Sequence, residues 1–432
     1  MNFSRHALSL VLAAAVAAAL AACGDPAVTE KTDALSLPKD FAQGDAILSD
    51  VEAPIDAVTD AVAPADDLAP DVPATPDIAP ELAPDVPPAV DAAPDVPPPL
   101  TCQDCDFTVQ PLAPHPGGPG PLTISDPQTV SYGASYQQML IVKPMTPGIF
   151  PVMLFVPGKQ LGSNGMGGTL GTNYLDFLKH VASHGYIAAL VQVEMNALDA
   201  DHVRMGDDLL AAQKALPDVV TTADMSKIIY VGHSMGAKVV LLAAYKNINT
   251  DTKNAIQDPA AVMMFAISNE PPPVGTFQDA QVQAKGMWSG ADTYFTFVQA
   301  KDDTIAPYLD ATKANGLTLY NELKTDKKQI IVLHGTMAGD ALNAPTVPAL
   351  HADHSAPLTI EGKPGGLAGL AMPDSHLDAL DWYGYWKLTV GALDFHFAKG
   401  DQKWAYGAMR EHGGNLPGGG YIKHEVLGQG WK

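Results

Sequence analysis

A serine between two glycines, at residues 232–236, is the strongest chemical signal in this sequence. The pentapeptide reads Gly-His-Ser-Met-Gly, with Ser234 at its centre. A β-favouring apolar run at 227–231 precedes it, and a helix-favouring run at 235–246 follows it. A strand–serine–helix turn lifts the hydroxyl clear of the backbone and points a helix N-terminus at developing negative charge. The pattern predicts that Ser234 is a nucleophile for acyl transfer.

Backbone N–H groups are the donors that stabilise the oxyanion formed in such a reaction. We expect the N–H of Met235, directly after the serine, to be the first donor. The second is expected after an earlier apolar strand at 151–156, where a Pro-Gly pair leads into a glycine-rich loop. We assign it to Lys159, with Gln160 as the alternative if the turn is offset by one residue.

A carboxylate that orients the general base is expected on a loop just beyond a later strand. The apolar run at 294–299 predicts that strand, and Asp302 and Asp303 follow it. The base must come after the acid along the chain in this arrangement. The candidates that follow the next strand, at 329–333, are His334, His351, His354 and His376.

The elements that would position these residues alternate along the chain. Near-continuous apolar strands alternating with helices predict a mostly parallel sheet with helices on both faces. Strands are predicted at 139–142, 151–156, 187–193, 227–231, 261–267, 294–299 and 329–333, and helices at 174–184, 202–216, 235–246, 310–323 and 381–397.

Four stretches occur in a familiar order: residues 150–158, 181–186, 232–236 and 302–307, the last reading Asp-Asp-Thr-Ile-Ala-Pro. Through these stretches the chain resembles the cutinase-like polyester hydrolases and the chlorophyllase/dienelactone-hydrolase-like branch of the α/β-hydrolases. The resemblance covers about residues 139–399. The resemblance implies an α/β-hydrolase fold and ester hydrolysis without a cofactor. It assigns the triad acid to Asp303 rather than Asp302. His184, which closes a predicted helix, reads as structural.

The choice of base rests on the same resemblance. Ala-Asp-His-Ser-Ala-Pro around His354 is similar to the base motif of these relatives, and a Pro-Gly stretch at 363–366 follows it as in the chlorophyllase-like pattern. His376 instead has suitable spacing before the final helix. We assign His354, with His376 as the alternative, and expect segments 335–351 and 359–375 to form a wall or lid over the site.

The N-terminus has the pattern of an export signal. Arg5 precedes an apolar run at 7–20, which is short for a membrane span but typical of a signal peptide. The run ends in Leu-Ala-Ala-Cys, which resembles the lipobox of bacterial lipoproteins. That resemblance implies cleavage after residue 22 and acylation of Cys23, and Gly24 after the cysteine favours the outer membrane or cell surface.

Residues 23–105 read as an acidic, disordered stalk that carries the lipidated cysteine. Residues 24–101 hold 17 acidic residues against two lysines, a net −15 of the chain's −23, and Ala-Pro-Asp-Val-Pro recurs at 69–73, 83–87 and 93–97. Proline favours extended, polyproline-like chain. Cys102 and Cys105 are a disulfide candidate, because an exported chain meets an oxidising compartment. The catalytic domain is predicted at 106–432.

The sequence limits the kinds of ligand and partner that this protein is expected to bind. No basic stripe is present, which argues against nucleic-acid binding. No His-x-His or His-Glu-x-x-His spacing is present, so we expect no metal. The sequence therefore predicts a monomeric, lipid-anchored serine ester hydrolase acting on a small, lipid-like or polymeric ester. Two alternatives stay open: a surface-displayed binding module on an inactive hydrolase fold, and an exported peptidase or amidase.

Overall fold

A central β-sheet organises the part of the chain that the structure describes. The computed structural model describes residues 109–158, 173–193, 202–249, 256–267, 292–307, 316–335, 350–359, 377–398, 402–407, 412–415 and 421–429. These residues lie within the unit Ala89–Lys432. The predicted signal peptide and stalk, with Cys23, Cys102 and Cys105, lie outside the described residues.

The described strands form a ten-stranded sheet in the order β1-β2-β4-β3-β5-β6-β7-β8-β10-β9. Pairing is parallel from β4 through β3, β5, β6 and β7 to β8, and antiparallel at both edges. The strands are β1 Gln128–Ser131, β2 Gln138–Val142, β3 Phe150–Val156, β4 Ile187–Val191, β5 Ala223–His233, β6 Ala261–Phe265, β7 Tyr294–Ala300, β8 Lys328–Leu333, β9 His412–Asn415 and β10 Tyr421–Gln429.

Helices cover both faces of this sheet, because its central strands are apolar on both sides. Met153 and Phe155 of β3 pack with the first helix and the C-terminal one, whereas Val152 and Leu154 of the same strand pack with the second and third helices. The helices are α1 Leu175–Ser183, α2 His202–Val219, α3 Met235–Asn249, α4 Gly316–Glu322 and α5 Lys387–Leu393, the last flanked by π-helical turns at Asp381–Trp386 and Asp394–Ala398. This is a mixed α/β architecture with a mostly parallel sheet, as predicted.

Two structural expectations need correction. The strand at 329–333 is not the last one, because β9 and β10 follow the C-terminal helix and β10 pairs antiparallel with β8. The second helix does not stop before Pro217 but continues to Val219. Pro217 has no N–H to donate to the carbonyl oxygen of Gln213, but the N–H of Val220 still reaches the carbonyl oxygen of Leu216 at 2.8 Å, so the helical pattern continues past the proline. The predicted helix at 310–323 is described from Gly316 onward.

No helix within the described ranges combines the length and the apolarity that crossing a bilayer requires.

Candidate active site

The candidate nucleophile lies in a tight turn between β5 and α3. Ser234 has a φ of 55°, the left-handed region that side chains rarely adopt, and its side chain is only partly buried. A Cβ on Gly232 would lie 2.3 Å from the carbonyl oxygen of Gly236, and one on Gly236 would lie 2.1 Å from that of Val156. Both glycines are therefore required by close backbone approach, which is why the turn can present the serine beside the end of β3.

Three side chains that are distant in sequence meet at the carboxyl ends of the parallel strands. The Nε2 atom of His354 lies 2.7 Å from the Oγ atom of Ser234. The Nδ1 atom of the same ring lies 2.8 Å from the Oδ2 atom of Asp303. Asp303 and His354 are buried, at 3% and 8% exposure. The structure thus brings together the serine, histidine and aspartate that the sequence pattern singled out.

A local turn fixes the orientation of the aspartate. The Oδ1 atom of Asp303 accepts the backbone N–H groups of Ile305 at 2.8 Å and Ala306 at 2.7 Å. Its other oxygen, Oδ2, is thereby directed at the histidine. Asp302 instead contributes its backbone N–H, which donates to the carbonyl oxygen of Ala352 at 2.8 Å. The two neighbouring aspartates therefore have different roles. The side chain of Asp303 contacts the imidazole, whereas the backbone of Asp302 joins its own loop to the loop at 350–359.

The proton arrangement of the candidate triad follows from its acceptors. A carboxylate only accepts, so the Nδ1 atom of His354 carries a hydrogen and donates it to Asp303. In the neutral ring the Nε2 atom is then an acceptor for the hydroxyl of Ser234. A histidine poised in this way can remove the serine proton and become an imidazolium that faces a buried carboxylate. The arrangement is competent for nucleophilic acyl transfer.

Two buried titratable side chains lie near the candidate triad. Burial raises the pKa of the Tyr385 hydroxyl well above its usual value, and the negative charge of Asp303 raises it further. Burial lowers the pKa of His233, which precedes the serine, well below its usual value, and the neighbouring His354 lowers it further. His233 is therefore neutral at ordinary pH.

The candidate oxyanion region lies where the end of β3 meets the start of α3. Met235 is the first residue of α3, so its N–H is at the positive end of the helix. Gly158 is packed against the turn, since a Cβ there would lie 3.3 Å from the Cβ of Ser234. Lys159 and Gln160, the two residues considered for the second donor, lie outside the described residues.

The other histidines considered in the sequence either lie away from Ser234 or fall outside the described residues. His376 lies outside the described residues, as does most of the predicted lid. Both ring nitrogens of His334 are engaged away from the serine, with Glu425 at 3.0 Å and Lys301 at 3.4 Å. The Nε2 atom of His184 contacts the carbonyl oxygen of Gly118 at 2.9 Å, consistent with a structural role.

Within the described residues, no group of three or more His, Cys, Asp or Glu side chains is arranged to hold a metal ion.

Two residues behind the candidate triad were not anticipated. Tyr174 and His233 form a hydrogen-bonded pair at 2.7 Å, and His233 also reaches the backbone of His354 at 2.9 Å. The only available signal for His233 was its place inside the pentapeptide at 232–236. Tyr174 gave no signal, because its role depends on packing across the fold.

Comparison with known families supports the α/β fold. Residues 122–284 match the family model described as Chlorophyllase, a member of the α/β-hydrolase-like group. The matched segment includes Ser234 and ends before Asp303 and His354. The predicted resemblance to the chlorophyllase branch is confirmed over that segment, while the resemblances to cutinases and lipoproteins stay predictions. A comparison with curated proteins found no match.

Proposed function

We propose that this chain is a serine hydrolase that cleaves carboxylic esters through an acyl-enzyme on Ser234. The observation that carries the proposal is the continuous pair of contacts made by His354, at 2.7 Å to the serine Oγ atom and at 2.8 Å to Asp303. The Chlorophyllase match over residues 122–284 supports an ester hydrolase. The triad roles are our assignment from this geometry.

The proposed reaction has two half-reactions. His354 removes the hydroxyl proton as the Oγ atom of Ser234 attacks the ester carbonyl carbon, and Asp303 stabilises the resulting imidazolium. The imidazolium then protonates the departing alkoxide, which leaves as the alcohol. Water, deprotonated by the same histidine, hydrolyses the acyl-enzyme and releases the acid.

The oxyanion of each tetrahedral intermediate needs two donors. We assign the N–H of Met235 and that of Lys159, with Gln160 as the alternative to Lys159. Backbone donors of this kind contribute about 3 kcal/mol each to the transition state. The position of Gly158 against the serine turn supports this assignment, since the next N–H groups of the chain follow directly.

The proposed substrate is an ester with an apolar acyl part. Ile305, two residues beyond Asp303, is an apolar side chain that is 47% exposed. This feature supports contact with hydrocarbon rather than with a charged group. Small esters, lipids and polyesters share this chemistry, and the fold alone does not select among them.

A fluorophosphonate probe tests the proposal directly. We expect a stoichiometric adduct on Ser234, located by peptide mass spectrometry, and no adduct on Ser234→Ala. Turnover of p-nitrophenyl esters of increasing acyl length, beside matched p-nitroanilides, separates an esterase from an amidase. An unlabelled wild type that hydrolyses neither series would contradict the proposal and favour a binding module on this fold.

We further propose that the protein is exported and anchored in the bacterial cell envelope through a lipid on Cys23. The Leu-Ala-Ala-Cys sequence after an apolar run supports this proposal. Wild type should partition into a detergent phase, Cys23→Ser into the aqueous phase, and Cys102→Ser as wild type does. An unmodified N-terminal peptide from native, freely soluble protein would overturn the anchor.

A further inference from the structure

A chain of three hydrogen bonds runs behind the candidate triad, from the end of β3 to the loop that carries the histidine. The backbone N–H of Gly158 donates to the hydroxyl oxygen of Tyr174 at 3.2 Å. That hydroxyl lies 2.7 Å from the Nδ1 atom of His233. The Nε2 atom of His233 lies 2.9 Å from the backbone carbonyl oxygen of His354. The chain thus joins the candidate oxyanion region to the candidate base.

The direction of every hydrogen in this chain is determined by its last member. A carbonyl oxygen can only accept, so the Nε2 atom of His233 carries the hydrogen. In a neutral ring the Nδ1 atom is then an acceptor, and the hydroxyl of Tyr174 donates to it. The lone pairs of that hydroxyl oxygen remain available for the N–H of Gly158. All three bonds are therefore satisfied in one arrangement of protons.

The chain is buried along its length. Tyr174 is 1% exposed and His233 is 3% exposed. A buried donor or acceptor that loses its partner costs about 1–3 kcal/mol, so removal of one member disturbs the others. Burial and the proximity of His354 keep the pKa of His233 low, which preserves the neutral form that the arrangement requires.

Two adjacent residues, His233 and Ser234, each form a hydrogen bond with His354. Ser234 contacts the ring of His354, and His233, its neighbour in the chain, contacts the backbone of the same residue. The ends of the loop at 350–359 are held by other backbone bonds. Asp302 donates to the carbonyl oxygen of Ala352, and the N–H of Thr359 donates to that of Asn173, both at 2.8 Å. His233 therefore holds the middle of the loop, where the imidazole is attached.

We propose that Tyr174 and His233 are positioning residues for the hydrolase reaction: they hold the backbone of His354 and the turn at Gly158 in register with Ser234. This inference rests on the proposed function. Neither residue touches the reacting atoms, and both act through the alignment of base and oxyanion donors. A displacement of about 1 Å in such an alignment can lower the rate on the order of 100-fold.

Tyr174→Phe tests the first half of the chain. The substitution keeps the ring and removes only the hydroxyl, so Gly158 loses its acceptor and His233 loses its donor. We expect kcat for a p-nitrophenyl ester to fall about 10- to 100-fold while KM changes less than about threefold, because the alignment matters most in the transition state. An unchanged kcat, or a change confined to KM, would overturn the proposal.

Two substitutions of His233 separate its two contacts. The amide nitrogen of glutamine can replace the Nε2 donor, whereas asparagine reaches only the position of Nδ1. We expect His233→Gln to retain kcat within about tenfold of wild type and His233→Asn to lose about 10- to 100-fold. Equal kcat values for the two variants would show that the ring matters only as packing and would overturn the assignment.

A measurement on the unmodified full-length protein does not depend on any variant folding. With ¹⁵N-labelled histidine, NMR should show His233 as the neutral Nε2–H tautomer at every pH at which the protein stays folded. The Nδ1–H tautomer would overturn the hydrogen-bond chain. A wild type inert to fluorophosphonate refutes the hydrolase itself, whereas an active wild type matched by Tyr174→Phe refutes the positioning role.

Discussion

The backbone N–H of Ser234 donates a hydrogen bond of 2.8 Å to the carbonyl oxygen of Phe265, the last residue of the neighbouring strand β6. This bond extends the parallel pairing of β5 and β6 one residue beyond His233, into the turn. It forms although Ser234 has a φ of 55°, which a non-glycine residue adopts only at an energetic cost. The sheet thus holds the candidate nucleophile in a conformation that its own backbone disfavours.

The cost of that conformation can be measured with two variants at one position. Ser234→Gly and Ser234→Ala both remove the hydroxyl, but only glycine is free of the steric penalty at positive φ. We expect the glycine variant to be more stable than the alanine variant by about 1 kcal/mol in urea denaturation, with both inactive toward esters. An alanine variant as stable as the glycine variant would show that the turn stores no strain at Ser234.

The two adjacent aspartates offer a matched pair for the candidate acid. Asp303→Asn keeps the shape of the side chain but removes the charge that stabilises an imidazolium, so we expect kcat to fall about 10³- to 10⁴-fold. Asp302→Asn leaves the backbone bond from residue 302 to Ala352 intact and should stay within about tenfold of wild type. Steady-state ester hydrolysis measures both. Comparable losses in the two variants would contradict the assignment.

A second pair of variants distinguishes the two candidates for the general base, His354 and His376. His354→Ala removes the group that contacts Ser234, so turnover and fluorophosphonate labelling should fall by several orders of magnitude, with a melting temperature close to that of wild type. His376→Ala should keep turnover within about tenfold. Activity measured on folded protein, with melting curves as the control, decides between them. The reverse pair of phenotypes would assign the base to His376.

The sequence predicted the central sheet well, because its strands are continuous apolar runs. The run at 261–267, for example, corresponds to β6, which is buried at every position. The antiparallel strands near the two edges carry no such signal. β1, at one edge, reads Gln-Thr-Val-Ser and is mostly exposed, and β10, which pairs with β8 and with the edge strand β9, contains Lys423, His424 and Glu425. The stability of such strands depends on the neighbours with which they pair, so their own composition says little.

The candidate site was predictable where chemistry and local structure coincide. The serine turn needs glycines within five residues, and those glycines are visible in the sequence. The histidine was harder, because it lies 120 residues from the serine and its position depends on the loop at 350–359. Tyr174 could not have been identified from a motif, since it meets His233 only when α1 packs beside the end of β3.

A buried histidine on α1 gives the fold a pH dependence of known sign. The ring of His180 is 5% exposed, contacts the carbonyl oxygen of Pro116 at 2.8 Å, and packs on Trp386 with centroids 4.6 Å apart. Burial, and then the neighbouring His184, lower the pKa of His180 to about 3, from 6.5 in the unfolded chain. Asp394, near His184, opposes the shift at that second ring.

The unfolded state therefore binds a proton at His180 more readily than the folded state does. Its contribution to stability is fully present above pH 6.5 and is lost as the pH falls from about 6.5 toward about 3, with a limiting slope of about 1.4 kcal/mol per pH unit. His180→Gln removes this titration. We expect the variant to be less stable than wild type at pH 7.5, and the difference to shrink toward pH 4.5 in urea denaturation. Parallel curves over that range would show that His180 titrates alike in both states.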